Sequence, residues 1–136
     1  MQQVVAAAPN QVFWLETVVR AHSDLGDVKL NLGDAAGAFE HYSQALAATG
    51  KLLDQAPDNL YFQRDRADAF EALGRYYVRV AARPEASGPA RSERRALARS
   101  QFEQSHAIWQ NWLRRKAAVP FASRRESRVA ALLKNY

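Results

Sequence analysis

Leu25–Leu46, LGDVKLNLGDAAGAFEHYSQAL, joins two runs of helix-forming residues at Gly33-Asp34. Glycine suits the left-handed position just past a helix end, and aspartate suits the cap that starts the next helix. The stretch therefore reads as the end of one helix, a tight turn, and the start of a second helix packed back on the first. Gly26 interrupts the first helix at a cost of about 1 kcal/mol of helix propensity. That cost is explained if a bulky side chain of the second helix needs the space.

Outward from this hairpin, a first helix is expected from about Gln11 to Asn31, capped by Asn10 after Pro9. Its apolar residues Trp14, Val18, Ala21, Leu25, Val28 and Leu32 recur at steps of four and three, which predicts one inward-facing stripe. The second helix is expected over about Ala35–Gln55, with Ala38, Tyr42 and Ala45 at the contact. Pro57 stops it, and Asp58 or Asn59 caps a third helix over about Leu60–Ala82, packed through Tyr61, Phe62, Leu73 and Val80. Arg83–Ser92, RPEASGPARS, reads as a loop. Ser92 would then cap a fourth helix over about Glu93–Ala118, with Leu97, Phe102, Trp109 and Trp112 turned inward and Val119-Pro120 as its stop. Ser123 and Glu126 have capping-box spacing ahead of a short last helix, about Arg124–Asn135. The fold class is all-α, a single domain.

The bulk properties agree with that class and exclude several functions. The 136 residues are 48% apolar and 24% charged, and no cysteine is present. This removes disulfide and thiolate chemistry and fits a reducing, cytoplasmic setting. No apolar run approaches the ~18 residues that span a bilayer, and MQQVVAAAPN lacks the basic start of a signal peptide. The net charge of +5 hides an asymmetry: residues 1–60 sum to −4 and residues 61–136 to +9. A basic second half is suited to an acidic partner.

The hairpin echoes itself at a fixed offset. VVAAAP at 4–9 parallels LLDQAP at 52–57, 48 residues on, and the same step pairs Trp14 with Phe62, Ala21 with Ala69, and Leu25-Gly26 with Leu73-Gly74. A fixed period is the mark of stacked helical units that cannot bury their faces alone. Residues 1–9 then read as the tail of a preceding repeat, or else as a short arm. Residues 10–57 form one hairpin, 58–119 a second with an insertion at 83–92, and 120–136 a capping helix.

Leu25, Gly26, Gly33, Asp34, Ala38, Tyr42 and Ala45, in the run L-G-x6-G-D-x3-A-x3-Y-x2-A, resemble the tetratricopeptide repeat. The second unit matches less fully through Leu73, Gly74, Tyr77, Ala98, Phe102 and Ser105. The position where a tryptophan is common holds His22 in one unit and Phe70 in the other, and the period exceeds the family's about 34 residues. The long-period cadence is similar to the C-terminal repeat region of bacterial eukaryotic-like Ser/Thr kinases. The resemblance implies antiparallel hairpins in a right-handed superhelical array, about five helices with a short cap, acting in protein binding and signalling as a scaffold. In that family the first helix of each hairpin lines a concave groove, which here implies Arg20, Ser23, Asp27, Asn31, Asp68, Glu71, Arg75 and Arg79. The partner this implies is a protein or peptide, and an acidic one suits the arginines, since guanidinium pairs bidentately with carboxylate.

Nothing in the chain spells catalysis. His22, His41 and His106 form no metal-binding pair, no cofactor is expected, and no kinase signature segment is present. His22 is expected as a buried, hydrogen-bonded side chain. Two other readings remain open. Arg91, Arg94, Arg95, Arg99, Arg114, Arg115, Lys116, Arg124, Arg125 and Arg128 offer a basic patch for nucleic acid or an anionic surface, disfavoured because Trp109 and Trp112 sit at packing spacing. An apolar face left at the N-terminal end of the array would favour self-association.

Overall fold

Five α-helices follow one another in the computed structural model, which describes residues 9–115 and 120–136. They are α1 (Pro9–Asn31), α2 (Ala35–Gln55), α3 (Leu60–Ala81), α4 (Gly88–Arg114) and α5 (Pro120–Leu133), with no strand among the described residues. The expected repeat tail at Val4-Val5 and the stop at Val119 lie outside the described residues.

Local chemistry sets each boundary. Gly33 takes φ +85°, the left-handed conformation that lets α1 end and the chain reverse. The Asp34 carboxylate accepts the Gly37 amide at 2.9 Å, and that bond holds its pKa below the ordinary carboxylate value. The Asn59 side chain accepts from the amides of Tyr61 and Phe62 to start α3. Two expected starts are displaced. Helix α4 begins at Gly88 instead of after Ser92, because Ser87 is the cap and Pro89 lies in the first turn, where a missing N–H costs nothing. Helix α5 begins at Pro120 for the same reason, so Ser123 and Glu126 lie inside it and form no capping box. Helix α1 likewise starts at Pro9, ahead of the expected Asn10 cap.

Successive helices run antiparallel. Arg66 lies near Gly50 and Tyr77 near Phe39 across α2 and α3, while Phe121 meets Trp109 and Glu126 meets His106 across α4 and α5. Two glycines make the same contact in the two hairpins. A Cβ added at Gly26 would lie 2.5 Å from the Tyr42 ring, and one at Gly74 would strike the Phe102 ring as closely. Each glycine thus gives up helix propensity so that an aromatic ring of the next helix can lie against the backbone.

The core forms in three patches along the stack. Leu15, Val19, Ala48, Leu52 and Phe62 pack where α1, α2 and α3 begin to meet. Leu30, Ala38, Tyr42 and Leu73 fill the same three helices near the Gly33 turn. Ala67, Ala98, Phe102, Trp109, Trp112, Ala122 and Val129 join α3, α4 and α5. Phe102 and Trp109 are fully buried, and truncating such a side chain to alanine costs about 3–5 kcal/mol.

Most of the stripe expected to anchor α1 is not in the core, although Val18, half-buried, packs against the Leu15, Val19 and Leu52 patch. Trp14 is 64% exposed, Leu25 43%, Val28 53% and Leu32 77%; α1 instead buries Leu15, Val19 and Leu30 against α2 and α3. Of the residues 48 positions on, Phe62, Leu73 and Val80 are buried and Tyr76 is half-buried, because α2 covers that face of α3. No helix among the described residues covers the same face of α1. Tyr61 and Leu97, also expected inside, are exposed.

Candidate functional site

Helices α1, α3 and α5 lie side by side and point the same way, with α2 and α4 behind them. Arg79 Nη1 donates to Asn31 Oδ1 at 3.2 Å, a pair separated by the 48-residue period. Arg125 and Arg128 of α5 reach Asp68 and Glu71 of α3, each pair 57 positions apart. The one-turn spacing on α3 therefore meets an equal spacing on α5, and the two ion pairs hold the last helix against the third.

These three helices wall a cavity of ≈ 720 Å³. Asp27, Leu30 and Asn31 enter from α1, and Asp68, Glu71, Ala72, Arg75, Val78 and Arg79 from α3. Tyr42 and Phe102 reach in from α2 and α4, and Leu132 and Tyr136 close it beside α5. A smaller hollow of ≈ 290 Å³ adjoins it, lined by Glu16, Val19, Arg20, Ser23, Arg64, Asp65 and Asp68. All eight residues named from sequence thus line two neighbouring hollows that share Asp68.

Their states differ, and the differences decide what the cavity can hold. The Ser23 hydroxyl donates to the Val19 carbonyl at 2.7 Å, so it is spent on its own helix. Asp27 accepts the Tyr42 hydroxyl at 2.5 Å. Burial pushes that phenol well above the ordinary tyrosine range, the Asp27 hydrogen bond and charge push the same way, and Arg79 opposes them. Glu71, whose residue surface is 7% exposed, accepts two bonds from Arg128, at 2.9 Å from Nε and 2.8 Å from Nη2. Asp68 pairs with Arg125, yet burial outweighs that cation and raises the Asp68 pKa; Asp65 is raised by burial too, against Arg64.

Two guanidiniums remain open. Arg75 Nε stands 3.8 Å from the already occupied Glu71 carboxylate and its side chain is 53% exposed. Arg79 has the neutral Asn31 amide as its hydrogen-bond partner. They sit one helical turn apart, above a wall of Leu30, Ala72, Val78 and Leu132. Tyr42, Arg125, Arg128, Leu132 and Tyr136 were missed by sequence reasoning. The matched three-residue spacings of Asp68/Glu71 and Arg125/Arg128 were the available signal for two of them.

The remaining chemistry-bearing groups lie elsewhere. His22 and His41 face each other with Nδ1 atoms 2.8 Å apart, one ring donating and the other accepting, and both are half-buried. Among the described residues no three His, Cys, Asp or Glu side chains are placed to hold a metal ion. No helix among them is long and apolar enough to cross a membrane. Much of the expected basic patch is engaged internally: Arg91, Arg94, Arg95 and Arg99 donate to the carbonyls of Ala86, Val80, Asn135 and Leu133, and Arg115 reaches Asp58. Compared with models of known protein families, with curated proteins and with solved structures, the chain matches none.

Proposed function

We propose that this chain is a non-catalytic, cytoplasmic interaction module of the tetratricopeptide-like kind, whose α1/α3/α5 cavity takes an acidic peptide carrying an apolar side chain. The observation that carries this reading is the pair Arg75 and Arg79, free of any close, unshared carboxylate, standing over an apolar wall. Ligand carboxylates would take the two guanidiniums in bidentate fashion, and an apolar side chain would enter beside Leu30 and Val78. The ion pairs Asp68–Arg125 and Glu71–Arg128 hold the far wall rigid without competing for the ligand. A scaffold role within a larger signalling protein, such as a Ser/Thr kinase, follows from the repeat cadence. The product of the full gene tests that part, since a kinase domain upstream supports it and a different neighbour removes it.

The groove is tested by fluorescence anisotropy with two labelled peptides of equal length, one alternating Glu and Leu, the other Lys and Leu. Binding of the acidic peptide alone is expected, with affinity falling by ~10-fold or more in Arg75→Glu/Arg79→Glu and weakening as salt rises. Equal binding of both peptides, or an unchanged affinity in the double variant, dismisses the arginine pair. A nucleic-acid reading has less to stand on, because so many arginines of the patch already cap carbonyls or pair with acids.

A further inference from the structure

The uncovered stripe of α1 has a regularity its exposure alone does not require. Trp14, Val18, Ala21, Leu25 and Val28 of α1, with Leu32 in the turn just past it, follow the spacing 4-3-4-3-4, the a/d seam of a seven-residue repeat maintained along most of a helix. We infer that this seam is a dimer interface in which α1 packs, parallel and in register, against α1 of a second copy of this chain.

Two observations select that occupant. Of the eight large apolar side chains exposed among the described residues, four lie on the seam and Phe13 stands on the same helix outside it, while Phe39, Tyr61 and Leu97 are scattered over three other helices. A second copy therefore has one continuous apolar face to offer, the same one, and a two-fold interface pairs a face with itself. The direction comes from the flanking charges. With Trp14, Ala21 and Val28 as d positions, Asp24 falls at g and Lys29, which within one chain pairs with the half-exposed Asp34 at 3.4 Å, falls at e. A parallel pair sets each g residue against the e residue five positions on in the partner helix, which brings Asp24 to Lys29 twice. An antiparallel pair would set Asp24 against its own copy, a like-charge contact. The seam also lies on a different side of α1 from Arg20, Ser23, Asp27 and Asn31, so the cavity stays open in the dimer and this inference stands apart from its ligand.

Light scattering on the whole 136-residue chain tests it directly. A concentration-dependent dimer is expected, and Leu25→Glu/Val28→Glu, at two exposed positions, should weaken it by ~100-fold or more while far-ultraviolet circular dichroism stays unchanged. Lys29→Glu should weaken association, and the swap Asp24→Lys/Lys29→Glu should restore it. Because the chain has no cysteine, Ala21→Cys and Val28→Cys report register without interference. Both should oxidise to covalent dimers, since identical seam residues face each other in a parallel pair. A chain that stays monomeric at the highest soluble concentration overturns the proposal, as does a dimer indifferent to Leu25→Glu. A dimer in which neither cysteine cross-links overturns the parallel arrangement.

Discussion

Gly74→Ala decides whether the glycines of α1 and α3 are contact points or merely weak helix positions. In an open helix the change would stabilise the protein by about 1 kcal/mol through propensity. Here the new Cβ would strike the ring of Phe102, which is fully buried. Overpacking of this kind costs about 1–3 kcal/mol, so once the propensity gain is subtracted a net loss of up to about 2 kcal/mol is expected, a fall in Tm of up to about 8 °C. Urea unfolding followed by the fluorescence of the buried Trp109 and Trp112 measures it. Phe102→Leu alone should also destabilise, but combining it with Gly74→Ala should cost less than the sum by about 1 kcal/mol, because the smaller side chain vacates the space. A stabilised Gly74→Ala variant, or strictly additive costs, would refute the steric account.

Two further measurements probe the wall of the cavity. Glu71→Ala removes two charge-assisted bonds from Arg128; since that arginine side chain is 43% exposed, the loss should be about 1–2 kcal/mol, below the 3–5 kcal/mol of a fully buried pair. Amide exchange should rise first in α5, and Glu71→Ala/Arg128→Ala should be less damaging than the two losses summed; uniform exchange across all helices would contradict this. The raised pKa of Asp68 means that its folded form holds a proton more tightly than its unfolded form. Its contribution therefore favours folding at low pH and is lost as pH climbs from the ordinary 3.8 through the folded value. The stability of the native chain minus that of Asp68→Asn should fall across that window; a rise would mean that Arg125 outweighs burial, and the 39% exposure of the Asp68 side chain keeps the effect small.

The helices were legible because their signals are local. Gly33-Asp34, Asn59 and the stop at Pro57 act within a turn, and the structure places α2 as expected and α3 within a residue of it. Ser87-Gly88-Pro89 misled because the same residues that break a helix interior also begin one; telling the two apart requires knowing which amides have partners. The eight residues that line the two hollows came from the resemblance to the tetratricopeptide repeat, whose first helices line a groove; the chain itself assigns no face its neighbour. That explains why Trp14, Leu25 and Leu32 were placed inside: periodicity reports that a stripe is apolar and says nothing about what lies against it.

By itself, then, the sequence determined an all-helical chain, the turns at Gly33 and Pro57, its 48-residue echo and the identity of the contact glycines, because propensity and capping act within a turn and a repeat is written in the chain itself. Tertiary structure alone decided that Arg125 and Arg128 neutralise Asp68 and Glu71 while Arg75 and Arg79 stay open. It also decided that α2 covers α3 while the equivalent face of α1 is bare. Charge pairing and burial depend on which helix arrives alongside, and that is a property of the packed chain.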